Sequence, residues 1–178
     1  MIENSENLNT QAIELAAKGC FTEAIACFKK AITIDKKNYL LWYNLGVTYR
    51  DAGELSLARE ALDQALLLQD DDTDTLETLS MICFVMEDFD SAYNYSSEAL
   101  HINPNNPHLW NNLGVILFNT QQYEDACEAF EKAVSLYPHY YDALYNLRDT
   151  YQQLHNTVGV SECENRMKNL HRMGDFYA

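Results

Sequence analysis

The stretch Leu109-Trp110-Asn111-Asn112-Leu113-Gly114, together with the run from there to Pro138, decides how this chain folds. Its landmarks are Trp110, Leu113, Gly114, Tyr123, Ala126, Phe130, Ala133 and Pro138. They return upstream. Ala24, Ala58, Ala92 and Ala126 stand 34 residues apart (58 − 24, 92 − 58, 126 − 92), and Ala31, Ala65, Ala99 and Ala133 form a second comb at the same interval. Trp42-Tyr43-Asn44-Leu45-Gly46 repeats Trp110-Asn111-Asn112-Leu113-Gly114 two periods earlier (110 − 42 = 68). A fixed period of this size marks an array of like units, none of which can bury its apolar face alone.

The register divides the chain into units. In the first, 5–38, Ser5 is expected to cap a helix in which Leu8, Ala12 and Leu15 recur at helical spacing to about Lys18. Gly19 breaks that helix, and Phe21 opens a second with Ala24, Phe28 and Ala31 on one face; Leu8 stands where later units have Trp42 and Trp110. The second unit, 39–72, carries Leu45, Gly46, Tyr49, Gly53, Ala58, Leu62 and Ala65, and ends in Asp70-Asp71-Asp72. Asp72 or Asp74 suits the start of the next helix, where an acid meets the helix dipole favourably. The third unit, 73–106, keeps Leu76, Leu79, Phe89, Ala92, Ala99 and Pro104, with Ser80 in place of the glycine. The fourth is 107–140. The fifth, 141–172, begins with Leu144, Leu147 and Tyr151 in register, then departs, with Arg148 at the small-residue position and Val160 at the alanine position. Its last helix, about 157–172, has a narrow apolar stripe of Val160, Cys163, Met167 and Leu170, with Glu162, Glu164, Arg166, Lys168 and Arg172 elsewhere, as an end cap should. A short tail, 173–178, comes last, and all of 1–178 is expected to form one domain. Gly46 is expected to meet Ala58, and Gly114 to meet Ala126, where paired helices cross closely; a larger side chain there strains the packing by about 1–3 kcal/mol. Trp110 and Phe130 are expected in the core.

The order and spacing of these landmarks resemble the tetratricopeptide repeat, a helix–turn–helix unit of about 34 residues. The resemblance covers nearly the whole chain. It implies an all-α fold, a right-handed superhelical solenoid closed by a C-terminal capping helix. It also implies a concave groove lined by the first helix of each repeat, in which partners lie as extended peptides or helices.

Composition narrows the function. Net charge is −15, which argues against nucleic acid, since phosphate contacts need Lys and Arg. No Lys or Arg occurs from Glu60 to Glu131, a stretch holding 15 acids, while the other 27 − 15 = 12 acids are balanced by the 12 bases. This middle stretch reads either as a solvated outer face or as a surface that steers a neutral-to-basic partner. Met1-Ile2-Glu3-Asn4-Ser5-Glu6 has neither a basic nor an apolar signal region, and the five cysteines read as reduced thiols, so a cytoplasmic protein is expected. No stretch approaches the ~18 apolar residues of a membrane span. Asp70, Asp72 and Asp74 have the spacing of a calcium loop, but its glycine position holds Thr75 and its final glutamate position Met81. His101, His108, His139, His155 and His171 form no H-E-x-x-H, and there is no C-x-x-C, G-x-S-x-G or phosphate-binding glycine motif. No catalytic residue, metal site or cofactor is expected, and the chain is read as no enzyme.

By the resemblance, the groove is lined near each helix start by Asn9, Tyr43, Glu77, Asn111 and Tyr145, and beside them by Thr10, Asn44, Thr78, Asn112 and Asn146. One turn on come Ile13, Val47, Met81, Val115 and Asp149, and deeper Ala16, Arg50, Phe84, Phe118 and Gln152. Asn44, Asn112 and Asn146 can each donate to and accept from a peptide backbone, as in the asparagine ladder of the O-linked N-acetylglucosamine transferase family; they serve equally well in helix packing. The family's carboxylate clamp is not matched: its lysine position in the first repeat holds Asn9, and Asp74 and Thr78 take its lysine and arginine positions in the third. Acidic chaperone tails of the Hsp70 and Hsp90 type are therefore disfavoured. The expected function is a scaffold or adaptor that binds a neutral-to-basic or apolar protein segment. The alternatives are a small acidic chaperone or escort, and a self-associating accessory subunit whose aromatic tail Phe176-Tyr177 docks into a second copy.

Overall fold

The computed structural model describes the chain from Asn4 to Gly174, with side chains to Leu170. The tail Phe176-Tyr177 and the Arg172 side chain lie outside these residues. Among the described residues are ten α-helices and no strand: α1 (Ser5–Ala17), α2 (Phe21–Ile34), α3 (Tyr39–Asp51), α4 (Leu55–Leu68), α5 (Thr73–Val85), α6 (Phe89–Ile102), α7 (Pro107–Asn119), α8 (Tyr123–Leu136), α9 (Tyr141–Gln153) and α10 (Thr157–Gly174). They belong to two compact units, Met1–Tyr95 and Ser96–Ala178, divided within α6.

In the first unit α1 pairs with α2 and α3 with α4; α2 packs on α3 and α4 on α5, while the first helices touch in order, α1 on α3 and α3 on α5. Ala24, Ala58, Ala92, Ala31 and Ala65 are all fully buried. Phe28, Leu41, Leu62 and Leu79 fill the space between them. Gly46 is pressed against the second helix of its own hairpin: a Cβ there would lie 2.5 Å from Leu62 Cγ and 3.2 Å from the Ala58 carbonyl oxygen. Ser80, at the same repeat position, donates its hydroxyl to the Ala92 carbonyl at 2.9 Å. Two caps differ in kind. Asn4, not Ser5, caps α1 by accepting from the Asn7 N–H at 2.8 Å. Asp72 caps α5 through the Thr75 N–H, as an acid before a helix should.

In the second unit α7 pairs with α8 and α9 with α10, α8 packs on α9, and α7 touches α9. Ala126 and Ala133 are again fully buried, with Phe130 and Leu144 beside them. Gly114 is likewise pressed against the second helix of its own hairpin, and its nearest neighbour is the residue equivalent to Leu62. A Cβ there would lie 2.6 Å from the Phe130 ring, one turn beyond Ala126, so it is this ring that occupies the glycine's open side. In the last hairpin Gly159, rather than Val160, takes the close position: its Cβ would lie 2.5 Å from the Tyr151 ring, while Val160 is half-buried. Cys163 and Met167 are buried along the predicted stripe. Trp110 is half-buried, not core: its indole N–H donates to the Pro104 carbonyl at 2.8 Å, and Trp42 does the same to Lys36 at 3.1 Å. Each ring fastens its helix to the turn that precedes it.

The turns inside the hairpins share one geometry. Gly19 and Cys20 donate to Ala16 and Leu15, and Gly53 and Glu54 to Arg50 and Tyr49; Glu87 and Asp88, Gln121 and Gln122, and His155 and Asn156 repeat the pattern one period on each time. This crossed pair of bonds is the Schellman closure, which needs a left-handed residue just past the helix.

Candidate peptide-binding groove

The first helices present the positions that the register assigns to a groove. In the first unit the Asn44 Nδ2 donates to Asn9 Oδ1 at 3.0 Å, tying α3 to α1. Tyr43 and Thr78 share a side-chain hydrogen bond that ties α3 to α5, and burial pushes the Tyr43 phenol above its ordinary pKa against that bond. Thr78 is buried and donates to the Asp74 carbonyl at 2.8 Å. Val47 is half-buried, Met81 is exposed, and Arg50 is clamped by Asp51 at 2.8 Å. Glu77 is half-buried and engaged.

In the second unit the Asn146 Nδ2 donates to Asn111 Oδ1 at 3.0 Å. Asn111 is buried, and Asn112 is half-buried and engaged. Thus Asn44 and Asn146 each spend a donor on a neighbouring hairpin. The two rows read from the sequence are offset by one residue, so the second row of one repeat meets the first row of the repeat before it. Tyr145 is exposed, with the Arg148 guanidinium 4.1 Å above its ring, and Arg148 also grips Asp149 at 2.6 Å.

Four of the predicted groove residues converge on a pocket of ≈ 220 Å³: Val115, Phe118, Asn146 and Asp149, joined by Asn119 and Phe130. Phe118 packs edge-on against Tyr123, the first residue of α8, with ring centroids 5.4 Å apart. Phe130 is buried beneath. Sequence reasoning misses Asn119 and assigns Phe130 to the core alone. Phe130 is itself a landmark of the period, whereas Asn119 has no periodic signal and follows only from its place next to Phe118.

On the second-helix side of the first unit, Ile32, Trp42, Leu45, Tyr49 and Leu57 line a wider hollow of ≈ 670 Å³ edged by Lys29, Glu60 and Asp63. In the second unit Glu131, Tyr151, Cys163 and Arg166 line one of ≈ 330 Å³. Burial raises the Cys163 thiol, and burial, then the Glu131 carboxylate, push the nearby Cys127 up to about 12, which disfavours the thiolate at both. All five cysteines are free thiols. Among the described residues no group of three or more His, Cys, Asp or Glu side chains is placed to hold a metal ion, and no helix is long and apolar enough to cross a membrane.

Comparison with known proteins bears on this arrangement. Tetratricopeptide repeat models match residues 39–72 and 107–140, and a further one matches 12–49, together more than half the chain. A model of the protein prenyltransferase alpha subunit repeat matches residues 89–120. The peroxisomal targeting signal receptor of Candida albicans is 27% identical over 162 residues, 82% of this chain and 26% of the receptor. Its counterpart in Saccharomyces cerevisiae is 36% identical over 69 residues, 39% of this chain and 11% of the receptor. A TPR repeat-containing protein of Synechococcus elongatus is 35% identical over 96 residues, 54% of this chain and 24% of that protein. The chain thus spans about a tenth to a quarter of the length of these curated relatives. Among solved structures, MamA is similar with a TM-score of 0.88 at 22% identity, over 93% of this chain and 97% of that one. YrrB, described as a TPR protein with an unusual peptide-binding site, is similar with a TM-score of 0.77 at 21% identity, over 92% of this chain and 84% of that one. At such identities the likeness shows the fold alone, an all-α tetratricopeptide solenoid. On the internal period and these matches together, the chain belongs to the tetratricopeptide repeat family.

Proposed function

We propose that the chain is a non-enzymatic interaction module that holds a polypeptide segment of a partner against the first helices of its repeats. The observation that carries this is the pocket bounded by Val115, Phe118, Asn146 and Asp149, where separate groove positions meet around one concavity. Within each unit the first helices also expose apolar or aromatic groups at groove positions, Ile13 and Met81 in the first and Tyr145 in the second, which can serve as contacts for a partner. The peptide-binding description of YrrB and the receptor names of the curated relatives fit such a role. Net charge of −15 favours a neutral-to-basic or apolar segment and disfavours acidic chaperone tails. The five free thiols favour a reducing compartment, the cytoplasm. No nucleic acid, membrane or cofactor enters the reading. An escort role for an unstable client uses the same surface.

The test places a photo-cross-linking residue at Met81 or Val115, on the groove, or at Val158, which is 76% exposed on α10. Discrete adducts in native lysate from the groove positions, absent from Val158, are the expected result. Equal adducts from all three sites sink the groove as the binding surface.

A further inference from the structure

We propose that the pocket between α7 and α9 is a subsite for one basic side chain, lysine or arginine, of the bound polypeptide. The proposal rests on the groove reading above and narrows it to a chemistry. At ≈ 220 Å³ the pocket is smaller than the roughly 300–1,000 Å³ of small-molecule sites and suits a single long side chain. Its wall is Val115 and Phe118 over the buried Phe130.

The hydrogen bonds already made on the rim decide what can enter. Asn119 Nδ2 donates to the Val115 carbonyl at 2.8 Å, and Asn146 Nδ2 donates to Asn111 Oδ1 at 3.0 Å. Arg148 donates from Nε and from its terminal nitrogen to one oxygen of Asp149, at 2.9 and 2.6 Å. Among the described residues nothing else engages the carbonyl oxygen of each amide, one N–H of each, or the second oxygen of Asp149, whose side chain is 34% exposed. Among the described residues Asp149 is the one ionised group lining the pocket. An ammonium or guanidinium is all donor and positively charged, so it matches a rim of amide carbonyl oxygens and a carboxylate. Its alkyl stem lies on the apolar wall with the cation close to the Phe118 face. An acidic side chain meets Asp149 and two carbonyl oxygens, and is repelled.

The chain carries its own contrast. Two periods upstream (68 residues) the same positions hold Val47, Arg50, Asp51, Leu62, Thr78 and Met81. There Arg50 replaces Phe118 and is already paired with Asp51, while Met81 replaces Asp149. That site supplies a cation of its own on the groove, its acid Asp51 is the partner of that cation, and no acid stands at the Asp149 position, so the preference for a basic residue belongs to the second unit.

The test uses the full chain, isotope-labelled, titrated with three capped nonapeptides of alanine, serine and leucine. They differ only at the central residue: lysine, norleucine or glutamate. The lysine peptide should bind about tenfold tighter than the norleucine one, with the glutamate peptide weakest and with backbone shifts centred on Asn119, Asn146 and Asp149. Added salt should shrink the lysine preference. Asp149→Asn should remove it, and so should Phe118→Arg, which copies Arg50; both are compared at matched folded fraction by circular dichroism. Equal affinity for lysine and norleucine, or a tightest glutamate peptide, overturns the basic subsite and leaves the groove standing. Peptides that shift no resonance of α7 or α9 take down the groove reading with it.

Discussion

Positions 19, 53, 87, 121 and 155 occupy one place in five hairpin turns, and all are left-handed, with φ of 76° at Gly19, 81° at Gly53, 60° at Glu87, 63° at Gln121 and 56° at His155. Glycine adopts this conformation freely, whereas a side chain costs about 1–2 kcal/mol there. Nothing lies within 4 Å of a Cβ added at Gly19 or Gly53, so the penalty is one of backbone alone. Gln121→Gly should therefore stabilise the chain, by up to about 1 kcal/mol once glycine's larger unfolded-state entropy is set against the relief. Gly53→Ala should destabilise it by about as much. Urea midpoints of the two variants decide the matter; a destabilised Gln121→Gly beside a neutral Gly53→Ala rules out handedness as the controlling factor. Two of these turns are legible from glycine itself. The other three hold residue types that give no turn signal, and only counting in steps of 34 finds them.

At the level of the helical hairpin, the two alanine combs are fully legible, because a small residue recurring at a fixed step leaves little but a close crossing to explain it. The aromatic and asparagine landmarks are legible as positions but not as roles. Trp110 resembles a core residue by type, yet it lies at the start of α7, where its ring reaches back to the Pro104 carbonyl. Phe130, one helix later, is buried against Gly114 and lines the pocket as well. The two should separate by mutation. Phe130→Ala leaves a cavity and should cost about 3–5 kcal/mol, while Trp110→Ala loses one hydrogen bond and partly exposed area, for about 1–3 kcal/mol. Chemical denaturation of both variants checks this, and a Trp110→Ala loss equal to that of Phe130→Ala contradicts the staple. The asparagines elude sequence reasoning for a related cause. Periodicity shows which residues are equivalent, but not which equivalent rows touch, and a one-residue offset joins Asn44 to Asn9 and Asn146 to Asn111. The pocket is half legible in the same way: its first-helix members follow from the register, but its empty volume depends on how the Phe118 and Phe130 rings lie.

On the scale of the whole molecule the acidic stretch from Glu60 to Glu131 falls across both units, and each unit also hides phenols and thiols that titrate late. In the first unit burial and the neighbouring Asp63, to which its hydroxyl donates at 3.1 Å, push Tyr95 up to about 12; burial raises Cys83. In the second, Tyr151 donates to Glu131 at 2.7 Å, and burial followed by that bond raises it, while Cys127 is pushed up to about 12. The ordinary values are 9.0 for a thiol and 10.0 for a phenol. Between about pH 9 and about pH 12 the unfolded chain therefore binds fewer protons than the folded one, and stability falls as pH rises. The acid side runs the other way. Hydrogen bonds from Ser91 and then Arg59 lower Asp88 below its ordinary 3.8, so its contribution is present above that value and lost as pH falls through the folded one. Asp88 is one solvated carboxylate, whereas several buried groups act at high pH, so the alkaline limb should be the steeper. Urea midpoints taken in reductant across this range measure both limbs. Tyr95→Phe and Tyr151→Phe should each flatten the alkaline limb, which separates the phenols from the rising negative charge of the whole chain. A midpoint constant from about pH 9 to about pH 11 contradicts the burial of these groups as protonated acids.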